Sequence, residues 1–195
     1  MSVNLLQQVQ QFLGYPELKK IDPNTGSVDS NSEVSINYFS QAAIPAVLTA
    51  LYKYVQSDDG AEEVLRGDPS TDWAGKIFHE NKQEAVAKIK SFSDSGAEHA
   101  TPKMNEIAAT AVRIVKNNLP ESATIEEVKS FFLNQRNNIL PYLPPELKLG
   151  DLLNDDTVDD NVNKMEGPIS SLMNSIGSAF SNPVTSDEVK KQGSL

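Results

Sequence analysis

The chain contains no cysteine and only two histidines among its 195 residues. The absence of cysteine excludes disulfides, thiol nucleophiles and every metal site that depends on a thiolate ligand. The stretch "HENKQE", which begins at His79, has part of a helical zinc-protease motif, but Gln83 stands where that motif needs its second histidine. The sequence therefore predicts no zinc centre, and His79 and His99 are expected on the surface.

Basic side chains are also scarce. The sequence has 17 lysines and arginines against 27 aspartates and glutamates, which gives a formal net charge of −10. A general nucleic-acid binder needs a basic surface to displace phosphate counterions, and anionic lipid attracts basic segments in the same way. We therefore expect neither nucleic acid nor a lipid surface as a partner.

Long apolar runs are missing as well. The most apolar stretch, "AAIPAVLTALY", covers only residues 42–52, whereas a helix needs about 20 apolar residues to cross a bilayer. The first twenty residues have no basic segment followed by an apolar one, so we expect no signal peptide there. The sequence predicts no membrane span and a cytoplasmic location.

Glycine-rich and nucleophile motifs are absent too. The sequence contains no G-x-S-x-G elbow, no G-x-x-x-x-G-K-[ST] loop and no G-x-G-x-x-G fingerprint. Catalysis by a serine with His79 or His99 stays open, because triads assemble in space rather than in sequence, but no motif favours it. We expect no catalytic residue and no cofactor.

What the sequence does have is helical periodicity. The spacing of apolar residues predicts an all-α fold, a single-domain bundle of six to eight helices. Residues 36–55 carry two apolar stripes, so this helix should be covered on most sides and central. Pro45 lies within it, and either bends the helix there or begins a new helix as an early-turn residue.

The other predicted helices follow from apolar spacing and from capping residues. Gly14 ends the first helix, Thr101 followed by Pro102 reads as an N-cap and first-turn proline, and Thr124 with Glu127 forms a capping-box pattern. The predicted helical segments are residues 3–13, one turn at 62–66, 71–92, 101–118 and 124–139.

A proline within an apolar segment occurs twice, at Pro45 and at Pro141. One interpretation is that the helical domain, residues 1–150, consists of two weakly related halves with one bent helix in each. Helix bends also occur at ligand sites. The two bends are therefore the predicted location of any small-molecule pocket.

The character of the chain changes after Gly150. Residues 151–167 form a predicted acidic linker, and residues 168–195 a predicted amphipathic tail helix with a frayed C-terminus. The tail helix has one apolar stripe and a face of serine and asparagine, which suits packing on protein rather than on a membrane. The candidate partner-binding residues are Ile169, Leu172, Met173, Ile176 and Phe180.

The acidic segment also permits a calcium hypothesis. Oxygen-bearing side chains fall at the spacing of a calcium loop beginning at Asp155, but Asp160 occupies the position that normally requires glycine. A solvated acidic linker explains the same residues. The candidate ligands are Asp155, Thr157, Asp159, Asn161 and Glu166.

Three stretches resemble a known family. "NLLQQVQQFLG", "AAIPAVLTALYKYV" and "ILPYLPPELKLGDLLND" are similar to the bacterial helical family labelled domain of unknown function 937. The resemblance implies a helical bacterial protein and assigns no catalytic residue.

Two functional hypotheses remain at this stage. The first is a non-catalytic helical protein that acts through protein–protein contacts, either with a protein partner or with itself as a homo-oligomer. The alternative is an enzyme or small-ligand-binding protein with a pocket near Pro45 and Pro141.

Overall fold

The computed structural model describes residues 3–21, 37–92 and 99–155. All of them belong to the first of two structural units, Met1–Lys164, and the second unit is Met165–Leu195. The predicted tail helix, with its candidate residues Ile169, Leu172, Met173, Ile176 and Phe180, lies outside the described residues.

Within the described ranges the chain forms α-helices and short 3-10 turns, and no strand. This confirms the predicted all-α bundle of six to eight helices, and none of these helices is long and apolar enough to cross a membrane. The helices are α1 (Leu5–Phe12), α2 (Tyr38–Tyr54), α3 (Asp58–Arg66), α4 (Trp73–Phe78), α5 (Lys82–Phe92), α6 (Ala100–Asn118), α7 (Ile125–Ile139) and α8 (Leu149–Leu153).

Helix α2 is the centre of the bundle, as predicted. Every residue from Phe39 to Leu51 is buried, and Val47, Leu48 and Leu51 are fully excluded from solvent. Helices α1, α4, α5, α6 and α7 all contact α2. A helix that is apolar on all sides can be stable in water only when neighbours cover it in this way.

Pro45 lies in the interior of α2, and the chain is helical on both sides of it. The alternative that Pro45 begins a new helix is therefore wrong. Proline has no N–H to donate to the carbonyl of Gln41, and one turn later the hydroxyl of Thr49 donates to the carbonyl of Pro45 at 2.8 Å. Pro141 differs, because it lies in a 3-10 turn, Leu140–Tyr142, that follows α7.

Two buried glutamines fix the N-terminal segment, residues 3–21, which we call the N-terminal arm. The side chain of Gln135 accepts a hydrogen bond from the backbone N–H of Leu5 and donates one to the carbonyl of Val3, both at 2.9 Å. The side chain of Gln41 accepts from the N–H of Lys19 and donates to the carbonyls of Lys19 and Tyr142, at 2.9, 2.9 and 3.1 Å. The arm is thus held to the bundle near both of its ends.

The helix starts show where local chemistry predicted the fold well. Thr124 and Glu127 form the expected capping box, in which each side chain bonds the other residue's backbone N–H. The predicted N-cap at Thr101 is wrong, because α6 begins at Ala100 and its N-cap residue, His99, makes no side-chain cap bond. Helix α3 is longer than the single turn predicted at residues 62–66.

The predicted continuous helix over residues 71–92 is also wrong. It is divided into α4 and α5 by a 3-10 turn, His79–Asn81, and His79 has φ 47° and ψ −129°. An L-residue rarely adopts a positive φ. His79 is exposed, and it lies in this turn rather than within an α-helix.

The fold also extends past the boundary predicted at residue 150. Leu152 of α8 is buried, and the side chain of Asn81 donates to its carbonyl at 2.8 Å. Asp155 forms an ion pair with Lys53 at 2.7 Å. Residues 151–155, the first part of the predicted acidic linker, therefore belong to the helical domain.

Gly67 supplies a test of the packing between α3 and α6. It ends α3 with φ 58°, and a Cβ at this position would collide with the side chain of Lys116, whose ammonium group donates to the carbonyl of Arg66 at 2.7 Å. Gly67→Ala should therefore lower the free energy of unfolding by roughly 2 kcal/mol, from the left-handed backbone and the displaced lysine together. Urea denaturation measures this loss.

Gly14→Ala is the matched control. Gly14 has φ 70°, but a Cβ there would meet no atom within 4 Å. Only the backbone cost remains, so we expect a loss of roughly 1 kcal/mol. Equal losses for the two variants would show that the Lys116 side chain moves aside without cost to the fold.

Candidate functional site

A cleft of about 600 Å³ opens between the end of α1, the connection from α3 to α4, and one face of α6. We call it the α1–α6 cleft. Helix α6 forms its floor because residues three and four apart share one helix face. The lining residues are Phe12, Leu13, Gly67, Asp68, Pro69, Trp73, Glu106, Ala109, Thr110, Val112, Arg113, Lys116 and Asn117.

The apolar part of the cleft is unusual because it includes a large exposed side chain. Phe12 is 60% exposed, whereas Trp73, which lines the same cleft, is 1% exposed. Trp73 therefore belongs to the buried side of the cleft, while the side chain of Phe12 projects into solvent. Aromatic residues at the centre of a concave surface contribute strongly to protein–protein affinity when a partner covers them.

Arg113 is paired with this phenylalanine. Its guanidinium carbon lies 4.2 Å from the centroid of the Phe12 ring, within the range of a cation–π interaction. Arg113 forms no ion pair with any carboxylate in the described part of the chain. Its N–H groups can therefore still bind a carboxylate from outside, for which the guanidinium has the geometry of a fork.

Two other charges in the cleft are bound to its walls. The ammonium of Lys116 donates to the carbonyl of Arg66 at the C-terminus of α3. The carboxylate of Asp68 accepts from the hydroxyl of Ser70 at 2.7 Å and from its N–H at 2.8 Å. The Ser70 hydroxyl, with the N–H of the same residue, holds the pKa of Asp68 below its usual value, so Asp68 remains ionised and locally satisfied.

Glu106 is the remaining charge of the cleft, and it is exposed. Its carboxylate acts on Tyr15, because burial and then the negative charge of Glu106 raise the pKa of the Tyr15 hydroxyl. The cleft thus presents one carboxylate and one guanidinium on the same face of α6. This arrangement can bind a partner of matching charge; its described lining contains no imidazole or thiol that could serve as a base or nucleophile.

A second polar cluster joins α2, α3 and α4. The hydroxyl of Tyr54 donates to Glu63 at 2.6 Å, Lys76 donates to the same carboxylate at 2.8 Å, and the ring of His79 lies 6.1 Å from that of Tyr54. Burial, followed by the bond to Glu63, raises the pKa of Tyr54 well above its usual value. The bonds from Lys76 and then Tyr54 lower the pKa of Glu63. Both pKa values move away from neutrality, so this cluster is better suited to holding helices together than to proton transfer.

The predicted calcium ligands receive no support from the described residues. The carboxylate of Asp155 pairs with Lys53 at 2.7 Å and is 16% exposed. Thr157, Asp159, Asn161 and Glu166 lie outside the described residues. Within the described ranges no group of three or more acidic or histidine side chains could hold a metal ion, and the calcium hypothesis stays a prediction.

The two prolines that were predicted to mark a pocket are in different surroundings. Pro45 is buried in the core with its neighbours in α2, whereas Pro141 is exposed in a 3-10 turn. Neither lines the α1–α6 cleft. A pocket near the two prolines therefore stays a prediction.

Sequence reasoning missed the cleft residues for identifiable reasons. Phe12 stands seven residues after Leu5, on the same helical face, so periodicity places it in the core. It is nevertheless 60% exposed, whereas the next residue, Leu13, packs against the core, so Phe12 lies just beyond the edge of the buried face of α1. Arg113 is a single charge on a mostly buried helix, and only the position of Phe12 gives it significance.

No protein-family model, no curated protein and no solved structure matches this chain. The similarity of residues 4–14, 42–55 and 139–155 to the bacterial family labelled domain of unknown function 937 therefore stays a prediction.

Proposed function

We propose that this protein is a non-catalytic helical protein that acts through protein–protein contact, and that the α1–α6 cleft is its contact surface. One observation carries the proposal. Phe12, 60% exposed, lies in a cleft beneath a guanidinium that has no ion-pair partner among the described residues. Aromatic residues and arginine are enriched at interface hot spots.

The alternative of an enzyme has less support. Tyr54, Glu63 and Lys76 bond to one another, and Thr124 and Glu127 form a helix cap. No buried polar side chain in the described residues lacks a hydrogen-bond partner. A catalytic site usually contains a group whose pKa is shifted towards neutrality, and the shifts found here go the other way.

The remaining parts of the proposal follow from the sequence. The net charge of −10 favours protein over nucleic acid as the partner. A bacterial origin and a cytoplasmic location are part of the proposal. The partner is another protein or a second copy of this chain, and Ile169, Leu172, Met173, Ile176 and Phe180 of the tail form a second candidate contact surface.

Phe12→Asp should abolish binding through the cleft. Aspartate removes the apolar contact area and would pair with Arg113, so a hot-spot loss of at least about 30-fold in affinity is expected. Partners captured from the source cell by the wild-type full-length chain would be purified, and their affinity for each variant would be measured by titration calorimetry. Sedimentation velocity on the same samples measures self-association.

Leu133→Asp is the matched control. Leu133 is 59% exposed, nearly the same as Phe12, and it lies on α7 outside the cleft. It should bind as wild type does, and a partner that is lost equally with both variants would contradict the proposal. A partner lost with Ile176→Asp but retained with Phe12→Asp would assign the contact to the tail instead.

A further inference from the structure

We infer that the α1–α6 cleft binds an amphipathic peptide segment with a basic residue and a carboxylate about two helical turns apart and apolar residues between them. This inference rests on the proposed function and specifies the partner of the same surface. The basic residue pairs with Glu106, the carboxylate with Arg113, and the apolar residues cover Phe12.

The spacing comes from the geometry of α6. Glu106 and Arg113 are seven residues apart in one uninterrupted helix, so they lie on the same face and about 10 Å apart along the axis. A segment that lies along α6 meets a negative charge first and a positive charge two turns later. A segment with two like charges at this spacing would place one of them against a like charge, which is unfavourable.

Glu106 and Arg113 differ from the other two charges of the cleft, Lys116 and Asp68, which are exposed but already make hydrogen bonds within the fold. Lys116 is bound to the carbonyl of Arg66, and Asp68 is bound to Ser70. In the described part of the chain, neither Glu106 nor Arg113 forms an ion pair. The recognition pattern therefore takes its two charged positions from Glu106 and Arg113.

The surface between the two charges is mostly apolar, with Thr110 as its polar residue. Ala109 and Val112 line the cleft between Glu106 and Arg113, and the Phe12 ring stands beside them. Small side chains on a helix face allow a partner segment to approach closely, so that its larger apolar residues fill the cleft. Apolar residues between the charged ones are thus part of the required pattern.

Trp73 provides a direct measurement. It is the only tryptophan of the chain, and it lines the cleft. Tryptophan-free synthetic peptides would be titrated against the full-length protein while Trp73 emission is followed. The test peptide has lysine and glutamate seven positions apart with leucines between them, and two control peptides have lysine at both positions or glutamate at both.

The wild-type protein should bind the lysine–glutamate peptide roughly tenfold more tightly than either control peptide. Arg113→Glu should reverse the preference towards the lysine–lysine peptide, and Glu106→Lys towards the glutamate–glutamate peptide. Lys90→Glu and Glu121→Lys change the net charge equally at exposed positions outside the cleft. These two variants should keep the wild-type preference.

The inference is overturned if no peptide changes Trp73 emission, or if the order of affinities is the same for wild type and both cleft variants. It is also overturned if 8-aminooctanoate, which joins the same two charges by an alkyl chain, binds while the peptides do not; the cleft would then take a small zwitterion. If the peptide titrations fail but Phe12→Asp still loses the natural partner, the proposed function remains and only the charge pattern is rejected.

Discussion

Leu48→Ala should lower the free energy of unfolding by about 2–5 kcal/mol. Leu48 is fully buried in α2, which helices α1 and α4 to α8 contact, so truncation leaves a cavity that the bundle cannot fill from one side. The range is set by how far the neighbours collapse into that cavity. Urea denaturation with a two-state fit measures the loss, and an unchanged slope would show that the same structure unfolds.

Leu133→Ala makes the same chemical change at a site that is 59% exposed. It should change stability by less than about 0.5 kcal/mol, as exposed substitutions usually do. A similar loss of unfolding free energy in Leu48→Ala and Leu133→Ala would contradict the central position of α2. It would mean that the burial of Leu48 does not determine how much its truncation destabilises the protein.

Gln41→Leu should destabilise the protein by roughly 3 kcal/mol. Leucine keeps most of the buried volume but removes three hydrogen bonds, and it leaves the N–H and carbonyl of Lys19 and the carbonyl of Tyr142 without that partner. The loss of a partly buried hydrogen bond costs about 1–3 kcal/mol, less where water or another group replaces the bond. The N-terminal arm should loosen, with faster amide exchange over residues 12–21 before global unfolding.

Gln83→Leu is the control for this substitution, since Gln83 is exposed on α5. Its stability should remain within about 0.5 kcal/mol of wild type. Because the arm also carries Phe12, Gln41→Leu should weaken partner binding, whereas Gln83→Leu should not. Normal binding by a destabilised Gln41→Leu chain would show that the arm does not position the cleft.

The sequence predicted best the elements whose stability depends on local chemistry or on a long apolar pattern. Two apolar stripes over residues 36–55 indicated a helix covered on most sides, and α2 is buried from Phe39 to Leu51. The capping box at Thr124 and Glu127 located the start of α7 correctly, because both of its bonds are between residues three positions apart.

Contacts between residues that are distant in the chain have no such pattern in the sequence. Gln41 and Gln135 look like ordinary polar helix residues in the sequence, yet they are 1% and 4% exposed and bond to backbone groups of the N-terminal arm. The break at His79 also had no local signal, since apolar spacing continues across it from α4 into α5. Tertiary packing determines both features, and tertiary packing leaves no periodic pattern in a single sequence.

The candidate site was missed for a related reason. Periodicity shows which residues can face the core, but it does not show where the buried face of a helix ends, and Phe12 is 60% exposed while Leu13 beside it packs against the core. Pro45 and Pro141 were predicted to mark a pocket because proline disrupts a regular helix. In the structure Pro45 is part of the core and Pro141 belongs to a turn, so both are explained by the fold.

Hydrogen–deuterium exchange of the full-length protein, with and without its purified partner, tests the central claim most directly. If the α1–α6 cleft is the contact surface, binding should slow exchange around Phe12, in the α3–α4 connection at residues 67–73, and along residues 106–117 of α6. Exchange in α7 around Leu133, which is exposed outside the cleft, should not change. Protection confined to other segments, with these three unchanged, would contradict the account.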